Sequence, residues 1–193
     1  MPSIITDTFD YNDIIRVLDL DEAFVHHQVD DLQPKYWRIM QKAKTKGMRV
    51  FAPVIVKGNR GIDYLIYMVS RDWATTKKQH MLDYMYFGVY RQSDGFHLVG
   101  FLYLDSNPLA KAEKSFFIPH FFDRYRERTG LPQDTPKMDV IKDWINNNQH
   151  LNSDVQGNEK YPDGIFCAYP SGVALGRELP DGNSEMKTFV TYE

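Results

Sequence analysis

The hydrophobic positions change period three times along the chain, and each change marks a different kind of element. In the first 47 residues, Ile14, Ile15 and Leu18 recur at helical spacing, since residues three and four apart share one face of a helix. Asp19 or Asp21 can cap a following helix. Pro34, placed after Asp30 and Asp31, suits a first helical turn, and Gly47 suits a stop. Lys35, Arg38, Lys42 and Lys46 then fall on one helix face, either as a solvated face or as a stripe turned toward phosphate.

From Arg49 the period shortens. The runs 50–57 and 62–70 are rich in β-branched and aromatic residues, and Gly58-Asn59-Arg60-Gly61 separates them, which predicts a hairpin. Pro53 places the first strand at an edge or a bulge. A second hairpin joins 83–91 to 96–104 through Ser93-Asp94-Gly95. Met85, Phe87 and Val89 line one face of it, and Tyr84, Tyr86 and Tyr90 the other. With two apolar faces the sheet is expected to be covered on both sides, Trp37 and Met40 of the preceding helix packing against it. Alternatively, the tyrosine face is itself a binding surface.

Ser106 to Lys111 reads as a linker or long loop. After it, Phe116-Phe117-Ile118 enters a helix at Pro119 that runs through Arg128 and stops at Thr129-Gly130. Val140, Ile141, Trp144 and Ile145 mark the core face of a further helix ending in Asn146-Asn147-Asn148. Three strands close the chain, at 164–169, 173–178 and 186–192, turned by Pro170-Ser171-Gly172 and Pro180-Asp181-Gly182-Asn183. The reading is an α+β fold: N-terminal helices, antiparallel β-hairpins, two helices and a C-terminal three-stranded antiparallel meander. A single domain over residues 1–193 is expected, divisible into a helical and hairpin region at 1–105 and an α+β region at 115–193.

Charge and composition narrow the function classes. The formal charge of -3 excludes a protein that coats nucleic acid through bulk positive charge, while a local basic patch survives that average. Cys167 is the single cysteine, so no intramolecular disulfide or cysteine-based zinc site can form, and the chain reads as cytoplasmic. The first seven residues lack the basic and apolar regions of an export signal. The longest apolar runs, 64–69 and 96–104, are far short of the roughly 20 residues a spanning helix needs, so no membrane partner is expected.

The segment from Phe117 to Arg128 carries the strongest chemical signal. On a helix, His120, Arg124 and Arg128 are four apart and line one face, while Ile118, Phe121, Phe122 and Tyr125 anchor the adjoining face. A histidine beside two guanidiniums can bind a phosphate and move a proton, and a first-turn position favours an anion. The same spacing also describes any solvated amphipathic face, with Arg124 paired to Asp123 or Glu127 and His120 acting as a cap. Other constellations are sparser. Glu22, His26 and Asp30, with the pair His27 and Asp31, can present metal ligands or simple helix ion pairs. His80 and His97 have no readable partner. Ser171-Gly172 lacks the strand-to-helix context of a nucleophile elbow, no phosphate-loop, dinucleotide or HExxH motif occurs, and no cofactor is expected.

The pattern His120-x-x-x-Arg124-x-x-x-Arg128, a second helix, and a meander ending in Lys187-Thr188-Phe189-Val190-Thr191 resembles the barnase/EndoU/colicin/RelE-type ribonucleases over residues 115–193. The resemblance implies metal-independent RNA cleavage through the 2′-hydroxyl, with His120 as acid or base. It implies that Arg124, Arg128 and Lys187 hold the phosphate and that Thr188 or Thr191 orients it. The alternative is a non-catalytic binding module, bacterial or phage-borne, that holds a partner protein or a small ligand.

Overall fold

In the computed structural model, residues 5–44, 46–102, 113–148 and 153–192 are described. The chain divides into two units, residues 1–92 and 93–193, so the boundary falls ahead of the 105–115 region. The linker expected at Ser106 to Lys111 lies outside the described residues.

The first unit is built around one long helix, α1 (Tyr11–Ala43), where the sequence suggests several. Its N-terminus closes with a reciprocal capping box between Asp10 and Asp13, which satisfies backbone donors the first turn leaves free. Ile14, Leu18, Asp21, Val25, Val29, Tyr36 and Met40 are buried at steps of three, four and seven, so one stripe faces the sheet throughout. Each apolar side chain so buried contributes about 1.5–3 kcal/mol. Continuity of that stripe overrides the stop-and-start signals: Pro34 lies inside the helix, deleting only the N–H that would bond the Asp30 carbonyl. Lys44, in the left-handed conformation, ends α1, which leaves Lys46 outside the helical basic stripe.

Against α1 stand β1 (Arg49–Val50), β2 (Val54–Lys57), β3 (Ile62–Ser70) and β4 (Asp83–Gln92), with the short α2 (Trp73–Gln79) between β3 and β4. β3 is the centre: β4 pairs antiparallel with it, and β1 and β2 pair with its residues 69–70 and 63–66. The expected 50–57 strand is thus split around Pro53, which has no N–H to donate. Gly58 is required at the tight turn after β2, where an added Cβ would collide with the Ile62 carbonyl oxygen. Tyr86 and Tyr90 are buried, and Tyr84 meets the His26 ring of α1 edge-on at 6.1 Å. The tyrosine face is therefore the helix-covered face, not an open binding surface. Met40 is fully buried as expected, whereas Trp37 turns to Trp73 of α2.

The second unit holds a mixed sheet in the order β5 (Gly95–Leu102), β6 (Glu113–Phe117), β10 (Ser184–Val190), β9 (Gly172–Glu178), β8 (Tyr161–Tyr169) and β7 (Ser153–Asn158). The meander β8–β9–β10 is antiparallel as the alternation predicts; β6 and β7 are additional strands, and β6 pairs parallel with β10. The two expected helices are α3 (Pro119–Thr129) and α4 (Lys137–Asn147). Gly130 caps α3 at φ 72°, its N–H reaching the Arg126 carbonyl. One aromatic cluster cements helices to sheet: Trp144 lies 4.4 Å from Phe117 and 5.4 Å from Phe121, and Phe189 of β10 lies 5.1 Å from Tyr125 between ring centroids. Cys167, on the buried side of β8, is a packed thiol. Among the described residues, no helix is long and apolar enough to cross a membrane.

Candidate functional site

The α3 segment folds as its pattern dictates, and the fold decides which of its polar groups meet. Pro119 presets the backbone at the first helical position. Phe121, Phe122 and Tyr125 go into the core, so the intervening residues turn outward. His120 is exposed in the first turn, Arg124 half-buried and Arg128 exposed. The Arg124 Nε–H is directed at His120 Nε2 at 3.4 Å, and its Nη1 donates to Glu127 Oε2 at 2.7 Å. With Nε2 accepting, the neutral imidazole carries its proton on Nδ1, an assignment made from geometry. Two of the five guanidinium donors are thereby used and the rest stay available. Arg128 makes no hydrogen bond or ion pair among the described residues.

The base of the helix is braced separately. Asp123 takes both Arg126 and Lys137, and the Tyr125 hydroxyl donates to Asp143 at 2.8 Å while accepting from Asn147. Burial pushes the Tyr125 hydroxyl well above the ordinary tyrosine range, so it stays protonated as that donor. These contacts lock α3 on α4 and leave the His120 side as the outward face.

The C-terminal candidates lie elsewhere. Phe189 faces the helices, and the register sets Thr188 opposite Leu175 and Glu185 opposite Arg177 on the other side of the sheet. A bulge between Met186 and Thr188 places Lys187 out of register. Lys187 Nζ lies 3.2 Å from Glu185, which also takes Arg177 at 2.7 Å. Thr191 follows the end of β10, half-buried. Among the described residues, no hydrogen bond or ion pair joins Lys187, Thr188 or Thr191 to His120, Arg124 or Arg128. The structure gathers His120, Arg124 and Glu127, and places Lys187 and Thr188 in a different group. A cavity of about 630 Å³ is lined by Pro162, Asp163, Arg177, Glu178, Leu179 and Pro180, and another of about 300 Å³ by Gln33, Pro34, Trp37 and His80. Neither includes the α3 face.

No family model, curated protein or solved structure matches this chain. The site therefore rests on its own geometry.

Other sequence candidates resolve into structure. His27 and Asp31 form an exposed pair at 3.7 Å, and among the described residues no group of three or more histidine, cysteine, aspartate or glutamate side chains is placed to hold a metal. His97 is buried and its Nε2 meets Asp94 at 2.8 Å. Asp21 caps no helix; it is buried and bonded to Arg60 and, at 3.0 Å, to the Tyr64 hydroxyl. Of the two acidic partners the spacing offers Arg124, Glu127 is the one it takes, and its i, i+3 relation to Arg124 and i, i+7 relation to His120 make it a further member of this face.

Proposed function

We propose that the chain is an RNA-binding protein in which the α3 face grips backbone phosphate, acting as a binding module. The observation that carries this reading is the outward array of His120, Arg124 and Arg128. Arg124 is held in place by His120 on one side and Glu127 on the other. A pre-positioned guanidinium gives up less side-chain freedom on meeting a phosphate and can offer two parallel donors to it. The open setting suits a passing strand better than an enclosed reaction, since no wall excludes water from His120. The test is fluorescence anisotropy of a labelled single-stranded RNA with the full chain. Arg124→Ala is expected to weaken binding about ten-fold, the weight of one charge-assisted hydrogen bond, and Arg124→Lys to recover only part of it. Equal affinity of the wild type and both variants overturns the reading.

A second reading, metal-independent cleavage, is favoured by one specific feature: an imidazole and a carboxylate flank the same guanidinium. Glu127 can take the 2′-hydroxyl proton as that oxygen attacks phosphorus. His120, protonated once its Nε2 releases the Arg124 Nε–H, can give that proton to the departing 5′-oxygen as the P–O5′ bond breaks, leaving a 2′,3′-cyclic phosphate and a 5′-hydroxyl. Cleavage of RNA in a chelator, lowered by two to four orders of magnitude in His120→Ala and also lost in Glu127→Gln, would establish it. Intact RNA leaves the chain a binder.

A further inference from the structure

We propose that the first unit carries its own binding site for single-stranded nucleic acid, where the C-terminal end of α1 meets α2. Trp37 and Trp73 are both half-buried, with ring centroids 5.6 Å apart at 48°. The His80 ring stands 6.2 Å from Trp37, brought there by a left-handed residue that ends α2 at φ 57°. Gln33, Pro34, Trp37 and His80 line a cavity of about 300 Å³. Its wall is pre-set: the Gln33 side chain donates to the Leu82 carbonyl at 2.8 Å and accepts from the Leu82 N–H at 3.0 Å.

The chain that follows the cavity residues carries a positive excess, with Asp30, Asp31, Asp72 and Asp83 flanking it in sequence. Residues 35–49 hold six lysines and arginines and no acid, and residues 73–80 hold two lysines and no acid. Residues 10–31 of the same helical stretch hold seven acids and one arginine. Among the described residues, Arg38, Lys42, Lys44, Lys46, Lys77 and Lys78 form no ion pair. Helix dipoles favour Lys42 and the Lys77–Lys78 pair in their last turns. They do not account for Lys46 beyond α1, nor for two indoles left half open on the same two helices; Arg49 lies over the Phe51 ring at 4.8 Å.

Flat aromatic rings on two helices that also carry unpaired cations match the two halves of a single strand: bases that stack and phosphates that need counter-charge. Bases in a duplex are already stacked on each other, so the same rings discriminate against double strands. The local excess of positive charge also explains how a chain of net charge -3 can hold a polyanion, because residues 30–49 hold six lysines and arginines against two acids, Asp30 and Asp31.

The experiment uses the full chain, a fluorescein-labelled oligouridylate of eight nucleotides, and anisotropy at low salt. Trp37→Ala and Trp73→Ala are each expected to weaken binding about ten-fold, with Trp37→Phe and Trp73→Phe recovering most of it. The pair Lys77→Gln and Lys78→Gln is expected to lower the slope of log affinity against log salt by about 0.7 per lysine removed. Each comparison is repeated in an Arg124→Ala, Arg128→Ala background, so loss of the α3 reading leaves this one readable. Photo-crosslinking of a 5-bromouridine oligomer to the wild type avoids any folding question, and adducts are expected on Trp37, Trp73 or His80. Adducts confined to other residues overturn the proposal. So does an equal competition by duplex RNA or by poly-glutamate, which would make the surface a duplex or acidic-protein contact.

Discussion

The two units cover a sheet with helix in opposite ways. In the first, α1 is tied down by polar side chains set into an apolar stripe: Asp21 reaches Arg60 and Tyr64, and Gln33 grips both backbone groups of Leu82. In the second, α3 and α4 are held by rings on rings, with Phe117, Phe121, Phe122, Trp144 and Phe189 in mutual contact. Polar ties fix one geometry because each partner left alone is costly to bury. Aromatic packing contributes more burial per residue but tolerates small shifts. The consequence is functional: with its rings turned to the sheet and its polar ties made to α4, α3 has its outer face free for His120, Arg124 and Arg128, while α1 carries, six residues before its end, Trp37, half-buried against Trp73 of α2.

The contrast can be broken most severely at Trp144. Trp144→Ala is expected to cost about 3–5 kcal/mol, read as a lowered midpoint in chemical denaturation, since the indole touches Phe117, Phe121, Phe122 and Tyr169. An unchanged midpoint would remove the aromatic cluster as the basis of the second unit.

Asp21→Ala is the matching cut in the first unit. It strands the Tyr64 hydroxyl and removes the partner of Arg60, at a cost of about 3 kcal/mol, the low end for a broken buried pair because Arg60 reaches solvent. A cost near zero would mean that the apolar stripe alone holds α1.

Two tyrosines on β3 sharpen the comparison further. The Tyr64 hydroxyl donates to Asp21, so Tyr64→Phe is expected to destabilise by about 1–2 kcal/mol. Among the described residues the Tyr67 hydroxyl is buried with no partner, so Tyr67→Phe is expected to be neutral or stabilising. Burial raises both hydroxyls beyond the ordinary tyrosine range. By linkage the alkaline side follows: a raised acid is stable while protonated, and stability falls as pH rises through and above the ordinary value near 10. Tyr67→Phe should blunt that alkaline loss in a pH series of melts.

The smallest effect is at Asp72, whose carboxylate accepts from the Thr75 N–H and hydroxyl. These bonds, the backbone one first, hold its carboxyl below the ordinary value of 3.8. A depressed acid stabilises above that value, and the contribution fades as pH falls through the lowered one. Asp72→Ala should therefore lower the melting temperature slightly at neutral pH and not at all in strong acid.

Much of the fold is legible because burial repeats at a fixed step. Val140, Ile141, Trp144 and Ile145 mark α4, and Pro119 with Gly130 brackets α3. Where local signals compete with tertiary packing, packing wins. Pro34 and Asp21 read as helix boundaries but sit inside α1, because one buried stripe runs past both. Only the resemblance to the ribonucleases brings Lys187 and Thr188 to the α3 face. Strand alternation and the Met186–Thr188 bulge, which no residue in the segment announces, turn them away. Glu127 was visible as a helix neighbour, yet only the orientation of Arg124 makes it part of a site.

The claim that the outer face of α3 holds phosphate is tested most directly by the salt dependence of RNA affinity. Anisotropy titrations across a range of salt concentrations, with the wild type and an Arg124→Ala, Arg128→Ala variant, give two slopes of log affinity against log salt. Two lost phosphate contacts should make the variant's slope shallower by about 1.4, with its melting temperature unchanged. Parallel lines of equal affinity would contradict the account.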